Sequence, residues 1–311
     1  MAGQQPKIAI VGAGTIGLSF AALHLTKNPS CMVTIFDTRP DLQEYVQRHL
    51  PGYLLDADHD SCMRRLSFAS KIEVAVGDAA IVQEQGPESL AFKVAVWPQI
   101  EQHAAEDALF WSSTSGIPAS EQCRDMRDKS RLVVVHPYNP PHIMPLLEVV
   151  PSPKTSQTVV DRTLEYWRSL GRTPVVVKKE CTGFVANRLA FALFREACSL
   201  VHQGVVSVQD VDEIVQASMG PRWTVAGPFK SYHAGGGEGG LNSFMDKIGG
   251  TVQGCWEASD EDVRKGNISV GKEWQAEICA QTDAAYGIVN TAERDNKTRK
   301  VLEAVKAETD H

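Results

Sequence analysis

The stretch Lys7-Ile8-Ala9-Ile10-Val11-Gly12-Ala13-Gly14-Thr15-Ile16-Gly17 decides the fold. Residues 7–11 are a short apolar run closed by glycine, which reads as a buried parallel strand, and residues 15–27 then take up helical periodicity. The glycines between them follow the G-x-G-x-x-G spacing. In that pattern Gly12 makes the tight turn, Gly14 lets the backbone approach a pyrophosphate, and Gly17 permits close packing of helix on strand. The helix that opens at Thr15 and Ile16 presents unpaired N–H groups to the anion. Residues 32–36 read as the second strand, and Asp37 stands at its end, twenty residues past Gly17. A carboxylate there accepts both ribose hydroxyls and repels a 2′-phosphate, so the expected cofactor is NAD rather than NADP. Arg39, two residues on, reads as a solvated loop charge, with contact to a 2′-phosphate as the alternative.

Outward from this unit the β, α, β rhythm continues. Residues 72–76, 79–83, 109–113, 131–136, 146–150 and 174–178 are expected strands, and 88–104, 118–126 and 156–170 expected helices. Residues 41–66 read as one or two short helices broken at Pro51 and Gly52 and carrying little apolar surface. The fold class is therefore α/β, a Rossmann-type, doubly wound, mostly parallel sheet, followed by a smaller all-helical C-terminal domain. The boundary is expected at Lys179 and Glu180, giving an NAD-binding domain over 1–179 and a helical substrate and dimerisation domain over 180–311. Residues 189–194, bracketed by Arg188 and Arg195, read as a buried helix, residues 235–240 as a flexible glycine loop and candidate lid, and 294–309 as a charged terminal helix.

Bulk properties narrow the chemistry. A length of 311 residues favours two domains, and 43% apolar with 22% charged residues is ordinary for a globular protein. A net charge of -7 argues against nucleic acid or an anionic membrane surface as partner, because both require a basic face. The seven cysteines lack metal-ligand spacing, so no metal is expected and the thiols read as reduced and mostly buried. Residues 1–7 do not resemble a signal peptide, the terminal Thr309-Asp310-His311 is not a peroxisomal tripeptide, and no apolar run spans a bilayer, so a cytoplasmic protein is expected.

The chemistry centres on His136-Pro137-Tyr138-Asn139-Pro140-Pro141 and on Glu148. His136 ends a strand before proline, which presents its ring at the carboxyl edge of the sheet, where ligands bind in this architecture. Glu148 lies in the next strand segment. Inside an apolar run it needs a partner, and pairing of the two strands would let it bind the imidazole, fix its tautomer and raise its basicity. Ser113, Thr114 and Ser115 close another strand at the same edge. For Ser113 and Thr114 a helix cap and a functional role are equally supported, whereas Ser115 is read as a contact to the substrate oxygen. Asn187 sits among Phe184, Val185, Leu189 and Phe191, where an amide needs a polar partner. A proton acceptor, its orienting carboxylate and two neutral hydrogen-bonding groups are the parts required to oxidise an alcohol with a nicotinamide.

These motifs, with the segment Gln83, Glu84, Pro87, Glu88, Lys93 and the later Gly183, Phe184, Asn187, Arg188, resemble the 3-hydroxyacyl-CoA dehydrogenase superfamily over about residues 7–245. The resemblance is nearest to the branch of lambda-crystallin (L-gulonate 3-dehydrogenase) and L-carnitine dehydrogenase. It implies that His136 is the general base, that Glu148 orients it, and that Ser115 and Asn187 hold the reacting oxygen. It also implies that Glu88 and Lys93 lie near the nicotinamide ribose, and that the chain pairs as a homodimer, as this superfamily commonly does. Acyl-CoA enzymes of the superfamily carry a longer helical hairpin after the second strand; the short, interrupted 41–66 segment argues against CoA. Arg222, Lys230 and His233 are expected contacts for a substrate carboxylate, or else solvated or dimer-contact residues. The resulting expectation is an NAD-dependent oxidoreductase interconverting a small 3-hydroxy acid and its 3-oxo partner, not CoA-linked. The alternatives are a 3-hydroxyacyl-CoA dehydrogenase proper, a ketone or imine reductase on the same scaffold, and a non-catalytic NADH-binding crystallin.

Overall fold

The computed structural model describes residues 6–55, 57–266 and 268–309. Residues 1–5, 310 and 311, part of the targeting expectation, lie outside them. The chain divides into two compact units, Met1–Arg188 and Leu189–His311, parting a little after the boundary expected from sequence.

The first unit is built on an eight-stranded sheet in the order β3-β2-β1-β4-β5-β6-β7-β8. Its strands are β1 (Lys7–Val11), β2 (Met32–Phe36), β3 (Leu66–Ala69), β4 (Ile81–Glu84), β5 (Leu109–Ser112), β6 (Leu132–Pro137), β7 (Leu146–Pro151) and β8 (Thr173–Val176). Every neighbouring pair is parallel except β6 and β7, which run antiparallel. The order reverses between β1 and β4, where an open sheet of this kind leaves a crevice at its carboxyl edge.

Both faces of the sheet are covered, and β1 shows why its sequence is continuously apolar. Ile8 and Ile10 enter one core with Phe20, Leu23, Trp111 and Trp167, while Ala9 and Val11 enter the opposite core with Val82, Trp97 and Phe110. Residues of period two point to alternate faces, so a strand buried on both sides must be apolar at every position. Full burial of such side chains stabilises the fold by about 1.5–3 kcal/mol each. Helix α1 (Thr15–Lys27) is buried without interruption from Gly17 to Leu25. The helices α2 (Leu42–His49), α3 (His59–Arg64), α4 (Ile72–Val76), α5 (Leu90–His103), α6 (Ala119–Gln122) and α7 (Gln157–Ser169) complete the unit. Ser89 and Ser156 cap α5 and α7 by accepting the N–H of Phe92 and Val159.

Two expectations are corrected here. Residues 72–76 form the helix α4, not a strand: Ile72, Ala75 and Val76 fall at i, i+3 and i+4, and Ala75 and Val76 are buried. The strand lies earlier, at β3, paired in parallel with β2. The segment after β2 is not poor in apolar surface either, since Leu42, Val46, Leu50, Leu54 and Cys62 all join the main core. Its break falls at a 3-10 turn, Leu50–Tyr53, that contains Pro51 and Gly52.

The second unit is helical: most of α8 (Ala186–His202), then α9 (Val208–Ala217), α10 (Met219–Val225), α11 (Pro228–Gly235), α12 (Gly240–Lys265), α13 (Glu273–Tyr286) and α14 (Thr291–Thr309). Cys198, Val201, Trp274 and Ile278 form a small core. The expectation of a buried 189–194 helix is corrected, because Leu189, Phe191 and Phe194 of α8 are each about 60% exposed. The glycine loop is also corrected. Residues 235–240 end α11, pass through a 3-10 turn, Gly237–Gly239, and begin α12. Gly240 has φ +57 and a Cβ there would lie 2.3 Å from the His233 ring, so glycine serves close packing rather than looseness. The thiols are free; Cys31, Cys62, Cys123 and Cys198 are buried, whereas Cys255 and Cys279 are exposed. Among the described residues no helix is long and apolar enough to cross a membrane.

Candidate active site

The turn from β1 into α1 has the shape of a dinucleotide cradle. Gly12 has φ +109, and a Cβ on it would lie 2.7 Å from the Gln85 carbonyl oxygen. A Cβ on Gly17 would lie 2.0 Å from the Gly12 carbonyl oxygen, so only glycine lets helix and strand approach this closely. Gly14 caps α1 with open space where a side chain would stand, and Thr15 and Ile16 open its first turn. The N–H groups of this turn suit a pyrophosphate.

Asp37 closes the crevice on the other side. Its Oδ2 accepts the Ala13 N–H at 2.7 Å and its Oδ1 the Arg39 N–H at 2.9 Å, which orients the carboxylate beside the cradle. A cavity of about 460 Å³ opens there, lined among others by Gly12, Asp37, Thr38, Ile72, Phe92 and Val96. Its apolar walls and single carboxylate fit an adenosine. The Arg39 guanidinium donates to Asp41 at 2.8 Å and lies 3.4 Å from the centre of the Tyr45 ring, so both its charge and its face are engaged. The cradle and cavity together fit a bound dinucleotide.

Beyond β4 lies a charged group that the sequence reading located only in part. Lys93 is almost fully buried and donates to both oxygens of Glu84, at 3.0 and 2.8 Å. Glu84 also accepts the Gly86 N–H and the Ser112 hydroxyl, so the buried pair is fully hydrogen-bonded. Lys93 thus faces the interior rather than solvent. Glu88 precedes α5 rather than belonging to it; its Oε1 accepts the Ser115 N–H at 2.9 Å and the Thr114 hydroxyl, and its Oε2 lies 3.9 Å from Lys93 Nζ. Glu84 was singled out only through the family resemblance. The expected 79–83 strand stops one residue short of it, whereas β4 runs through Glu84 and buries it.

Thr114 accepts the N–H groups of Gly116 and Ile117, which closes a turn ahead of α6 but caps no helix, since the N-cap of α6 is Pro118. Ser115 is exposed, and the Asn187 amide donates to its carbonyl oxygen at 3.3 Å, bringing these two predicted residues together. His136 and Glu148 meet as well. They are directly paired across β6 and β7, and His136 Nδ1 lies 2.8 Å from Glu148 Oε2, both side chains being nearly inaccessible. Glu148 Oε1 accepts the N–H groups of Val185 and Ala186 at 2.8 and 3.0 Å. Burial pushes the Glu148 carboxyl up, but the hydrogen bonds from His136, Ala186 and Val185 outweigh it and hold the group below the usual carboxylate range. The result is a buried imidazole whose Nδ1 faces a carboxylate.

The expected carboxylate contacts belong to the helical unit. Arg222 on α10 and Lys230 on α11 are exposed. His233 on α11 is exposed as well, and its Nδ1 accepts the Leu241 N–H at 3.2 Å near the start of α12.

Comparison with known proteins identifies the family. Residues 7–181 match the NAD binding domain of 3-hydroxyacyl-CoA dehydrogenase, and residues 183–269 match the C-terminal domain of the same enzyme. A 3-hydroxyacyl-CoA dehydrogenase of Gibberella moniliformis is 33% identical, over 91% of this chain and 88% of its own. An L-carnitine dehydrogenase of Streptomyces coelicolor is also 33% identical, over 96% and 94%. Among solved structures, 5-formyl-3-hydroxy-2-methylpyridine 4-carboxylic acid 5-dehydrogenase, an NAD+-dependent dismutase, superposes with a TM-score of 0.75 at 28% identity, covering 96% of this chain and 98% of the other. The glycine cradle, the ribose-side carboxylate and the two matched domains thus have one meaning: the chain belongs to the 3-hydroxyacyl-CoA dehydrogenase family and is an NAD-dependent oxidoreductase.

Proposed function

We propose that the chain interconverts a small, polar 3-hydroxy acid with its 3-oxo partner, without a CoA carrier, and that His136 is the general base. The observation that carries this reading is the 2.8 Å contact of His136 Nδ1 with Glu148 Oε2 inside the sheet. Bound NAD+ supplies the hydride acceptor. His136 Nε2 takes the hydroxyl proton, and Glu148 offsets the charge that develops on the imidazole. Ser115 and Asn187 hold the reacting oxygen through neutral hydrogen bonds. Gly12, Gly14, Thr15, Ile16, Gly17 and Asp37 bind the adenosine and pyrophosphate, and Glu88, backed by Lys93, stands at the nicotinamide ribose. Arg222 and Lys230 are proposed for the substrate carboxylate, within a helical unit that serves substrate binding and dimerisation.

The absence of CoA is supported by the segment after β2. Its apolar residues are committed to the core, and among the described residues it holds two short α-helices, α2 and α3, joined through a 3-10 turn. A homodimer would bury the exposed Leu189, Phe191 and Phe194 of α8; light scattering that gives a monomer at all concentrations would remove that element. The decisive experiment measures NADH production from L-carnitine, L-gulonate, L-3-hydroxybutyrate and its CoA thioester. Turnover of a free acid above the thioester is expected; the reverse order would reassign the chain to acyl-CoA substrates. On the best substrate, His136→Gln should lower kcat by about 100- to 10,000-fold with NADH affinity retained.

A further inference from the structure

We propose that Phe184 is a positioning residue for the His136–Glu148 pair, its left-handed backbone aiming two successive N–H groups at Glu148 and its ring closing the apolar side of the imidazole. The inference rests on the reading of His136 as general base.

Phe184 has φ +50, and among the described residues Leu55 is the one other non-glycine with positive φ. Bulky side chains avoid this region because Cβ crowds the carbonyl oxygen. Gly183 before it has φ +73, so the chain makes two consecutive left-handed steps immediately ahead of α8. The Phe184 N–H donates to the Cys181 carbonyl at 3.1 Å, which pins the turn. The next two N–H groups, of Val185 and Ala186, then converge on one oxygen, Glu148 Oε1. Successive N–H groups of such a turn form a concavity that binds an anion.

The backbone alone does not explain phenylalanine. Glycine would adopt the same φ without crowding, so the ring is retained against a backbone preference. It is fully buried, and its centroid lies 5.3 Å from that of His136 at an interplanar angle of 51°. Phe184 thus touches one member of the pair with its side chain while its peptide neighbours hold the other. The ring excludes water from the imidazole flank, which leaves Nδ1–H to Glu148 and keeps Nε2 as the proton acceptor.

The test uses two variants of the full chain, Phe184→Leu and Phe184→Gly, with three readouts: imidazole ¹⁵N shifts of His136, kcat on the best substrate, and NADH affinity by fluorescence. Phe184→Gly keeps the backbone conformation but opens the flank. It should turn a single Nδ1–H tautomer of His136 into a mixture and lower kcat about tenfold or more, with NADH affinity within about twofold. Phe184→Leu keeps the apolar bulk and the fold and should lose about threefold in kcat, so it decides the matter even if the glycine variant does not fold. A purely structural Phe184 would lower the melting temperature with tautomer and kcat unchanged, and that result would overturn the proposal. Measuring His136→Gln alongside separates the two ideas. If that variant is inactive while the folded Phe184 variants behave as wild type, the present inference alone fails; if it keeps wild-type turnover, the general-base reading fails first.

Discussion

His136 and Glu148 face one another because β6 and β7 run antiparallel in a register that pairs them residue for residue. Among the described residues β6 and β7 are the one antiparallel pair of neighbours in the sheet, and that pairing turns a carboxylate twelve residues downstream into the imidazole's hydrogen-bond partner. Both side chains are also removed from water, so the contact satisfies His136 Nδ1 while Glu148 is held in addition by the Val185 and Ala186 N–H groups.

Glu148→Gln removes the charge but keeps the shape. The expected outcome is a fall in kcat of about 10- to 100-fold, with little change in NADH affinity, measured by steady-state kinetics and fluorescence titration. The same carboxylate carries a pH signature. Its folded pKa lies below the ordinary 4.5, so its stabilising effect is complete above that pH and lost as pH falls through the lowered value. Melting curves below pH 4.5 should therefore converge for wild type and Glu148→Gln.

Gly17→Ala tests the cradle. The added Cβ would stand 2.0 Å from a backbone oxygen that cannot swing away, so helix and strand must separate. Loss of about 1–3 kcal/mol in stability, seen by urea denaturation, and loss of NADH binding are expected. Retention of wild-type affinity would show that the turn does not hold the pyrophosphate.

Asp37→Ser should weaken NAD binding and leave NADP binding unchanged or improved, because the ribose-accepting carboxylate and its repulsion of a 2′-phosphate vanish together. Isothermal titration with both cofactors checks it. Equal losses for the two would refute the selectivity assigned to Asp37.

His24 supplies a pH dependence remote from the site. It is fully buried, hydrogen-bonded to Tyr166 and Gln83, and burial lowers its pKa to about 4, against the opposing effect of the hydrogen bond it donates to Gln83 Oε1. The unfolded chain takes up this proton near pH 6.5 and the folded chain only near 4, so stability is lost as pH falls between those values. The loss attributable to this group approaches roughly 3 kcal/mol at the acid end. Denaturant titrations from pH 7 to 4 should show a shallower decline in His24→Gln than in wild type.

The NAD-binding half was legible because its signals are local. The run from Lys7 to Val11, the three glycines and Asp37 act through backbone geometry within one strand-turn-helix unit, and β1, α1 and β2 lie where periodicity placed them. The α4 helix was misread because Ile72, Val74 and Val76 favour a strand by type, and only burial of Ala75 and Val76 against the sheet decides for a helix. The 235–240 glycines were misread because close approach to a neighbour, as at Gly240 and His233, leaves the same composition as a mobile loop.

By itself, then, the sequence determined the architecture, the cofactor cradle and the residue types able to move a proton, since each follows from spacing along a few turns of chain. The tertiary structure alone decided which groups meet. The β6–β7 register, the burial of Lys93 against Glu84 and the left-handed Phe184 beside His136 all arise from contacts between segments distant along the chain. Such contacts are set by the packing of the whole core, and no local pattern of residues encodes them.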